Sequence, residues 1–218
     1  MTASTIVIRD FGITEYVAIW QAMKEYSAIR NSDSADEIWL TQHKAVYTLG
    51  LNRKNVRLPK SNQNNHNEIP VVLTDRGGKI TFHGIGQIIV YLLLDLKRRQ
   101  LTIRQLVMII ESSIIELLAN QGIAAVTKKN APGVYVDDHK IASLGLRLKN
   151  NVCYHGLSLN VNMDLTPFKA IDPCGYEGLQ MTQTIALGIQ KTPEELGQML
   201  VSTLAEKLNI VETAQWIK

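Results

Sequence analysis

The sequence predicts an α+β fold, a mixed or antiparallel sheet packed with helices, as a single domain spanning residues 1–218. Three observations carry that prediction. Two segments hold a 3.6-residue apolar period behind a capping signal, so each reads as an amphipathic helix packed on a sheet. Residues Ile88 to Leu94 are apolar without interruption, the pattern of a strand covered on both faces. Between Gly122 and Met163 strand patterns follow one another with no helix between them, so the chain does not alternate as a doubly wound fold demands.

Taken in order, Ile13, Tyr16, Val17, Trp20 and Met23 share one face of a helix from about Thr14 to Ile29, closed by the polar Asn31-Ser-Asp-Ser34. Glu37 to Gln42 and Ala45 to Leu49 read as short strands. Asn52 to Glu68 reads as a long mobile loop, because few of its side chains offset the entropy of ordering. Ile69 to Thr74 and Ile80 to Phe82 bracket a glycine turn, and Ile88 to Leu94 follows as a buried strand. Thr102 with Gln105 opens the clearest helix, whose apolar stripe runs from Ile103 through Leu106, Val107, Ile110, Ile114 and Leu117 to Leu118. Gly133 to Val136, Ile141 to Leu148 and Val152 to Met163 are extended, with a turn at Asp137-Asp-His139. Pro167 and Pro173 argue against regular structure between them. Thr192, Pro193 and Glu195 start the last helix, with Leu196, Met199, Leu200, Leu204 and Leu208 on its apolar face.

Of 218 residues, 45% are apolar and 20% charged, which excludes wholesale disorder. The net charge is +3, and the basic residues fall in short scattered groups, so a nucleic-acid surface is not expected. Local cations such as Arg53, Lys54, Arg98 and Arg99 could still steer an acidic partner. The longest apolar run, Ile88 to Leu94, is far short of the roughly 20 residues that span a bilayer. The first ten residues have no basic segment leading into a long apolar one, so no signal peptide is read and a cytoplasmic location is expected. There, Cys153 and Cys174 are expected as free thiols. Their separation, and the scatter of His43, His66, His83, His139 and His155, match no zinc spacing, so no metal or cofactor is expected.

Three groups of residues could carry chemistry. Thr74 to Gln87 holds four glycines between two strands, and such a loop lets backbone amides wrap a carbonyl, a phosphate or a narrow chain. It has neither the Gly-Lys-Ser/Thr ending of a phosphate loop nor the following helix of a dinucleotide fingerprint. Lys140 stands at the mouth of a strand, where a desolvated amine can act as a base, with the small Ser143 and Gly145 nearby. Cys174 lies in the polar turn Ile171-Asp-Pro-Cys-Gly-Tyr-Glu-Gly178, a setting that favours a nucleophile, whereas Cys153 lies in an apolar alternation and reads as structural. A thiol nucleophile needs a base. His83, His155 or a lysine could serve, and composition alone does not choose.

Arg76-Gly-Gly-Lys-Ile-Thr-Phe-His-Gly84, Gly133-Val-Tyr-Val136, Lys140-Ile-Ala-Ser-Leu-Gly145, His155-Gly-Leu-Ser-Leu-Asn-Val161, Met163-Asp-Leu165, Pro167-Phe168 and Pro173-Cys-Gly175 with Met181-Thr182 resemble, in matching order, the lipoyl(octanoyl) transferase family. The resemblance implies the catalytic-domain fold of biotin and lipoate protein ligases. It also implies transfer of an octanoyl group from acyl carrier protein, through a cysteine thioester, to the lysine of lipoyl domains in 2-oxoacid dehydrogenase complexes or the glycine cleavage H protein. Carried over by residue, Cys174 is the nucleophile and Lys140 the general base. The substrate site is then lined by Arg76, Gly77, Gly78, Lys79, Ile80, Thr81, Phe82 and His83, by Ser143, Leu144 and Gly145, and by Gly156, Leu157 and Ser158. Backbone amides of the glycine loop and of residues 143–145 are the implied oxyanion donors. Ile85 departs from the family's usual proline and carries no reactive group. An ATP-dependent ligase of the same fold and a noncatalytic acyl- or lipoyl-domain-binding protein are the competing readings.

Overall fold

The apolar run at 88–94 is the middle of a strand whose two faces feed two different cores, which is why no polar residue interrupts it. Ile88, Val90, Leu92 and Leu94 enter one buried cluster; Ile89, Tyr91 and Leu93 enter another. The computed structural model describes residues 6–59, 68–176, 178–209 and 214–217. Within these, the chain runs β1 (Ile6–Thr14), α1 (Tyr16–Ile29), β2 (Asp36–His43), β3 (Val46–Leu49), β4 (Val71–Leu73), β5 (Ile80–His83) and β6 (Gln87–Asp95). It continues through α2 (Ile103–Ala119), β7 (Val126–Thr127), β8 (Val134–Val136), β9 (His139–Lys149), β10 (Val152–Asn160), α3 (Pro193–Lys207) and β11 (Ala214–Ile217).

Eight strands form a mixed sheet in the order β11-β1-β2-β6-β10-β9-β8-β7. β1 is parallel to β2 and β11, α1 supplying the crossover between β1 and β2, and the remaining neighbours are antiparallel. Helices α2 and α3 cover one face, where Leu106, Ile110, Ile114, Leu117, Leu196, Leu200 and Leu204 are buried with the strands. Both carry the expected capping box, Thr102 with Gln105 and Thr192 with Glu195. Helix α1 covers the other face, where Ile19 and Met23 pack on Trp39, Ile89, Tyr91, Leu93 and Tyr154.

The α+β class holds, with corrections. A second sheet, β4-β3-β5, sits apart from the first and closes a small core of Tyr47, Leu49, Ile80, Phe82, Met163, Phe168 and Ile171. The first helix starts at Tyr16 rather than Thr14, because β1 continues to Thr14, whose hydroxyl bonds Thr41 Oγ1 at 2.9 Å. Ile13 therefore lies in a strand and is exposed, Val17 is exposed as well, and the buried stripe is Tyr16, Ile19 and Met23. Strands β1, β7 and β11 were not anticipated. Of the expected loop from Asn52 to Glu68, residues 60–67 lie outside the described residues, and 52–59 contain no helix or strand. Between the two prolines are only single turns of 3-10 helix, Thr166–Ala170 and Pro173–Gly175.

Cys153 fits the structural reading: it is buried in the helix-covered core, and burial pushes its thiol up to about 12. Among the described residues, no helix is long and apolar enough to cross a membrane.

Candidate active site

Small residues on facing strands leave a trough in the sheet. Across β9, β10 and β6 the register aligns Ser143 with Ser158 and Ile89, and Gly145 with Gly156 and Tyr91. The intervening Leu144 and Leu157 pack in the core on the helix side. Over this trough lies the glycine loop, and together they enclose a narrow slot of about 50 Å³. That is room for a file of a few waters or a slim chain, not for a bulky ring system.

Eleven of the fourteen residues expected to bind substrate line this slot: Arg76, Gly78, Lys79, Thr81, His83, Ser143, Leu144, Gly145, Gly156, Leu157 and Ser158. The other three lie elsewhere. Ile80 and Phe82 are in the core of the small sheet, because alternation along β5 turns them away from Thr81 and His83. The Gly77 amide donates to Leu146 O at 2.9 Å, which ties the loop to β9 and removes that amide from the candidate oxyanion donors. Tyr16, Ile89 and Tyr91 also line the slot and were not foreseen.

Arg76 staples the loop. Its guanidinium, almost fully buried, donates to Thr48 O, Thr48 Oγ1, Gly77 O and Lys79 O at 2.6 to 3.1 Å. Its charge thus also faces the slot from a fixed position. Behind His155, which lines the slot, Asp75 accepts from Trp20 Nε1 at 2.8 Å, from His155 Nε2 at 2.9 Å and from the Tyr154 hydroxyl. Burial pushes the Asp75 carboxyl up, but those donors outweigh it and hold it well below the usual carboxylate range. Burial lowers His155 despite the neighbouring carboxylate, so it donates as a neutral imidazole.

His83, the alternative base, is committed in the same way. Gln87 Nε2 faces the carbonyl of Phe82 and Oδ1 of Asn160, which leaves Gln87 Oε1 to accept from His83 Nδ1 at 2.7 Å. His83 Nε2 then accepts from Thr48 Oγ1 at 3.2 Å. Burial lowers His83 to about 3 and His43 to about 4. Both are therefore neutral in the fold, whereas in the unfolded chain they titrate near 6.5. Below that pH the unfolded state binds protons that the native state refuses, so stability falls as pH drops from about 6.5 towards 4. Thermal melts between pH 7.5 and 4.5 should show this decline, and a flat profile would contradict it.

Lys140 is 1% exposed at the start of β9. Its ammonium donates to Pro132 O at 2.8 Å and lies 5.4 Å from the Tyr135 ring centroid. Gly133 makes this possible: at φ +137° a Cβ there would come within 2.5 Å of Lys140 Cε. The Lys140 backbone clasps the segment after Cys174, its N–H donating to Gln180 O at 2.9 Å and its C=O accepting from Thr182 N at 3.0 Å. The cysteine turn is anchored from the other side by Arg57, which bonds Lys169 O, Ile171 O and the Asp172 carboxylate. Gly175 at φ +83° presses on Lys79, whose Cδ would be 2.4 Å from any added Cβ. Backbone bonds thus join the start of β9 at Lys140 to residues 180–182, and Gly175 of the cysteine turn lies against Lys79, which lines the slot.

The cations proposed to steer partners divide. Arg98 and Arg99 are bound to the buried Asp36 and belong to the structure, whereas Arg53 and Lys54 are exposed. Among the described residues no group of His, Cys, Asp and Glu is placed to hold a metal ion.

The family model of the lipoyl protein ligase A/B catalytic domain matches residues 17–205. The chain is 50% identical over 207 residues to the octanoyltransferase of Nitrosomonas europaea, covering 95% of this chain and 99% of that protein. It is 48% identical over 208 residues to the octanoyltransferase of Shewanella oneidensis, covering 95% and 94%. Among solved structures, lipoate-protein ligase A bound with ATP superposes with a TM-score of 0.76 at 11% identity, over 100% of this chain and 90% of that one. The bipartite lipoate protein ligase of Thermoplasma acidophilum, described with its E2 lipoyl domain, gives 0.77 at 13%, over 99% and 88%. Biotin protein ligase of Aquifex aeolicus gives 0.56 at 15%, over 93% and 70%. At such identities the structural likenesses speak for the fold alone, whereas the matched family model and the near-complete sequence relatives speak for descent. The chain belongs to the lipoyl protein ligase A/B catalytic-domain family.

Proposed function

We propose that this chain, as one catalytic domain, is an octanoyltransferase that moves an octanoyl group from acyl carrier protein to the lysine of a lipoyl domain. The observation that carries the reading is the 50% identity to an octanoyltransferase over almost the whole of both chains. The slim slot, with the cysteine turn lying against its Lys79, is consistent with that chemistry.

In the proposed cycle the Cys174 thiolate attacks the thioester carbonyl. The new C–S bond forms as the bond to the carrier's phosphopantetheine sulfur breaks, and Lys140 returns a proton to the departing thiolate. The acceptor lysine, entering as a free amine, then attacks the acyl-enzyme. An amide forms, the Cys174 C–S bond breaks, and Lys140 takes the amine's proton. A thioester is already activated, so neither ATP nor a metal is consumed. The slot's substrate role assigned to Arg76, Lys79, Ser143, Gly145, Gly156 and Ser158 is to enclose the acyl chain and keep water from the acyl-enzyme. We take the compartment to be the cytoplasm, where a free thiol persists.

The test is transfer from octanoyl-acyl carrier protein to an unmodified lipoyl domain of a 2-oxoacid dehydrogenase complex or to glycine cleavage H protein, followed by mass spectrometry. One octanoyl group on the acceptor without ATP is the expected result. Modification that requires free octanoate and ATP would make the enzyme a ligase, and no modification under either condition would leave a binding protein.

A further inference from the structure

The Pro173–Gly175 turn lies between two cavities of opposite character. On the side of Lys79 and Gly145 is the narrow slot. On the other is an open groove of about 560 Å³ between the segment around Lys128–Ala131 and the chain just past the turn, at Tyr176 and Gly178 to Gln180. Tyr135 lines this groove and also lies beside the Lys140 ammonium, so the groove reaches the residue proposed as the base. The Tyr176 hydroxyl donates to Asn130 O at 2.5 Å, joining the groove's two walls.

The groove is cationic. Lys128 and Lys129 face it against one carboxylate, Asp138, which is paired with Lys128 at 2.6 Å, so Lys129 carries the remaining charge. Lys129 is exposed and makes no ion pair among the described residues.

A thioester has two limbs that leave its carbonyl carbon in different directions. With that carbon at Cys174 and the apolar limb in the slot, the thiol limb needs a second path. Resting on the octanoyltransferase reading, we propose that the open groove holds the phosphopantetheine limb of the donor, with Lys129 assisted by Lys128 at its phosphate. The chemistry of the two cavities matches the two limbs. The acyl chain takes the narrow, water-poor slot, and the polar limb takes a groove rich in hydrogen-bonding groups whose cations suit a phosphodiester. Openness is also required of it, because the limb stays tethered to a folded carrier.

The experiment compares Lys129→Glu and Lys129→Arg with wild type, following acylation from three donors. These are octanoyl-acyl carrier protein, octanoyl-coenzyme A, which carries the phosphate without the carrier, and octanoyl-N-acetylcysteamine, which ends before it. For Lys129→Glu, kcat/KM should fall about tenfold more for the two phosphate-bearing donors than for the short one, and Lys129→Arg should retain most of it. Equal losses on all three donors, no loss on any, or a loss confined to the carrier-protein donor would overturn the groove assignment. Wild-type enzyme that accepts octanoyl from none of the three would instead overturn the transferase reading on which it rests.

Discussion

Lys140→Met is expected to slow octanoyl transfer by about 10²–10⁴-fold, the usual worth of a general acid and base, while leaving the protein folded. Methionine nearly matches the length of the buried stem, and the Tyr135 ring beside it is a compatible neighbour. Two readouts separate a base from a structural lysine. Alkylation of Cys174 by iodoacetamide near neutral pH should slow, because the reacting form is the thiolate and its proton acceptor has gone. Lys140→Arg should restore little turnover, since arginine holds an anion but does not give up its proton. Gly133→Ala pushes on the same side chain from 2.5 Å and should lower kcat in the same direction, with some loss of stability because the new Cβ also meets Ala142 O. Unchanged alkylation and acylation in Lys140→Met would remove lysine as the base. His83 and His155 would be poor successors, since burial lowers the proton affinity of both, both ring nitrogens of His83 are bonded to Gln87 and Thr48, and His155 Nε2 is bonded to Asp75.

Asp36→Ala is expected to cost about 3–5 kcal/mol of stability, because it strands buried guanidinium groups without their carboxylate. Asp36 is fully buried and meets Arg30, Arg98 and Arg99 at 2.5 to 2.7 Å, while the side chains of Arg30 and Arg99 are only 2% and 7% exposed. It also accepts from Asp95 N at 2.9 Å, so one carboxylate joins the end of α1, the start of β2, the end of β6 and the turn leading to α2. Burial pushes Asp36 up, but the arginines and the amide outweigh it and hold it below the usual carboxylate range. Its contribution is therefore present above the unfolded value near 3.8 and is lost as pH falls through the lower native one. Urea melts at neutral pH check the prediction. A loss below about 1 kcal/mol would mean that these arginines are solvated like an ordinary surface cluster.

These two sites show what the sequence made legible. Capping boxes at Thr102 and Thr192 could be read because both partners lie within one turn of chain. The unbroken run at 88–94 announced a strand covered on both faces, and the motifs around Lys140 and Cys174 singled out those residues before any contact was known. What escaped was non-local. Arg98 and Arg99 looked like solvated charges because Asp36 lies far away in the chain. Tyr91 and Ile89 join the slot only through the register of β6 against β10, which no local pattern reveals. Ile80 and Phe82 face the small core and not the slot, as period two along a strand requires for alternate residues of a contiguous stretch. The alternation of Ile6 and Ile8 is a local mark of β1, but its pairing with β2 and β11 is non-local.

The proposed catalytic intermediate is a thioester on Cys174 formed with the help of Lys140. Its most direct test is a single turnover with octanoyl-acyl carrier protein and no acceptor, read by intact mass and peptide mapping. One hydroxylamine-labile C8 adduct on Cys174 is predicted, retained in Cys153→Ser, absent in Cys174→Ala and formed far more slowly in Lys140→Met. A labile adduct on Cys153, or transfer to the lipoyl domain that persists in Cys174→Ala, would contradict the account.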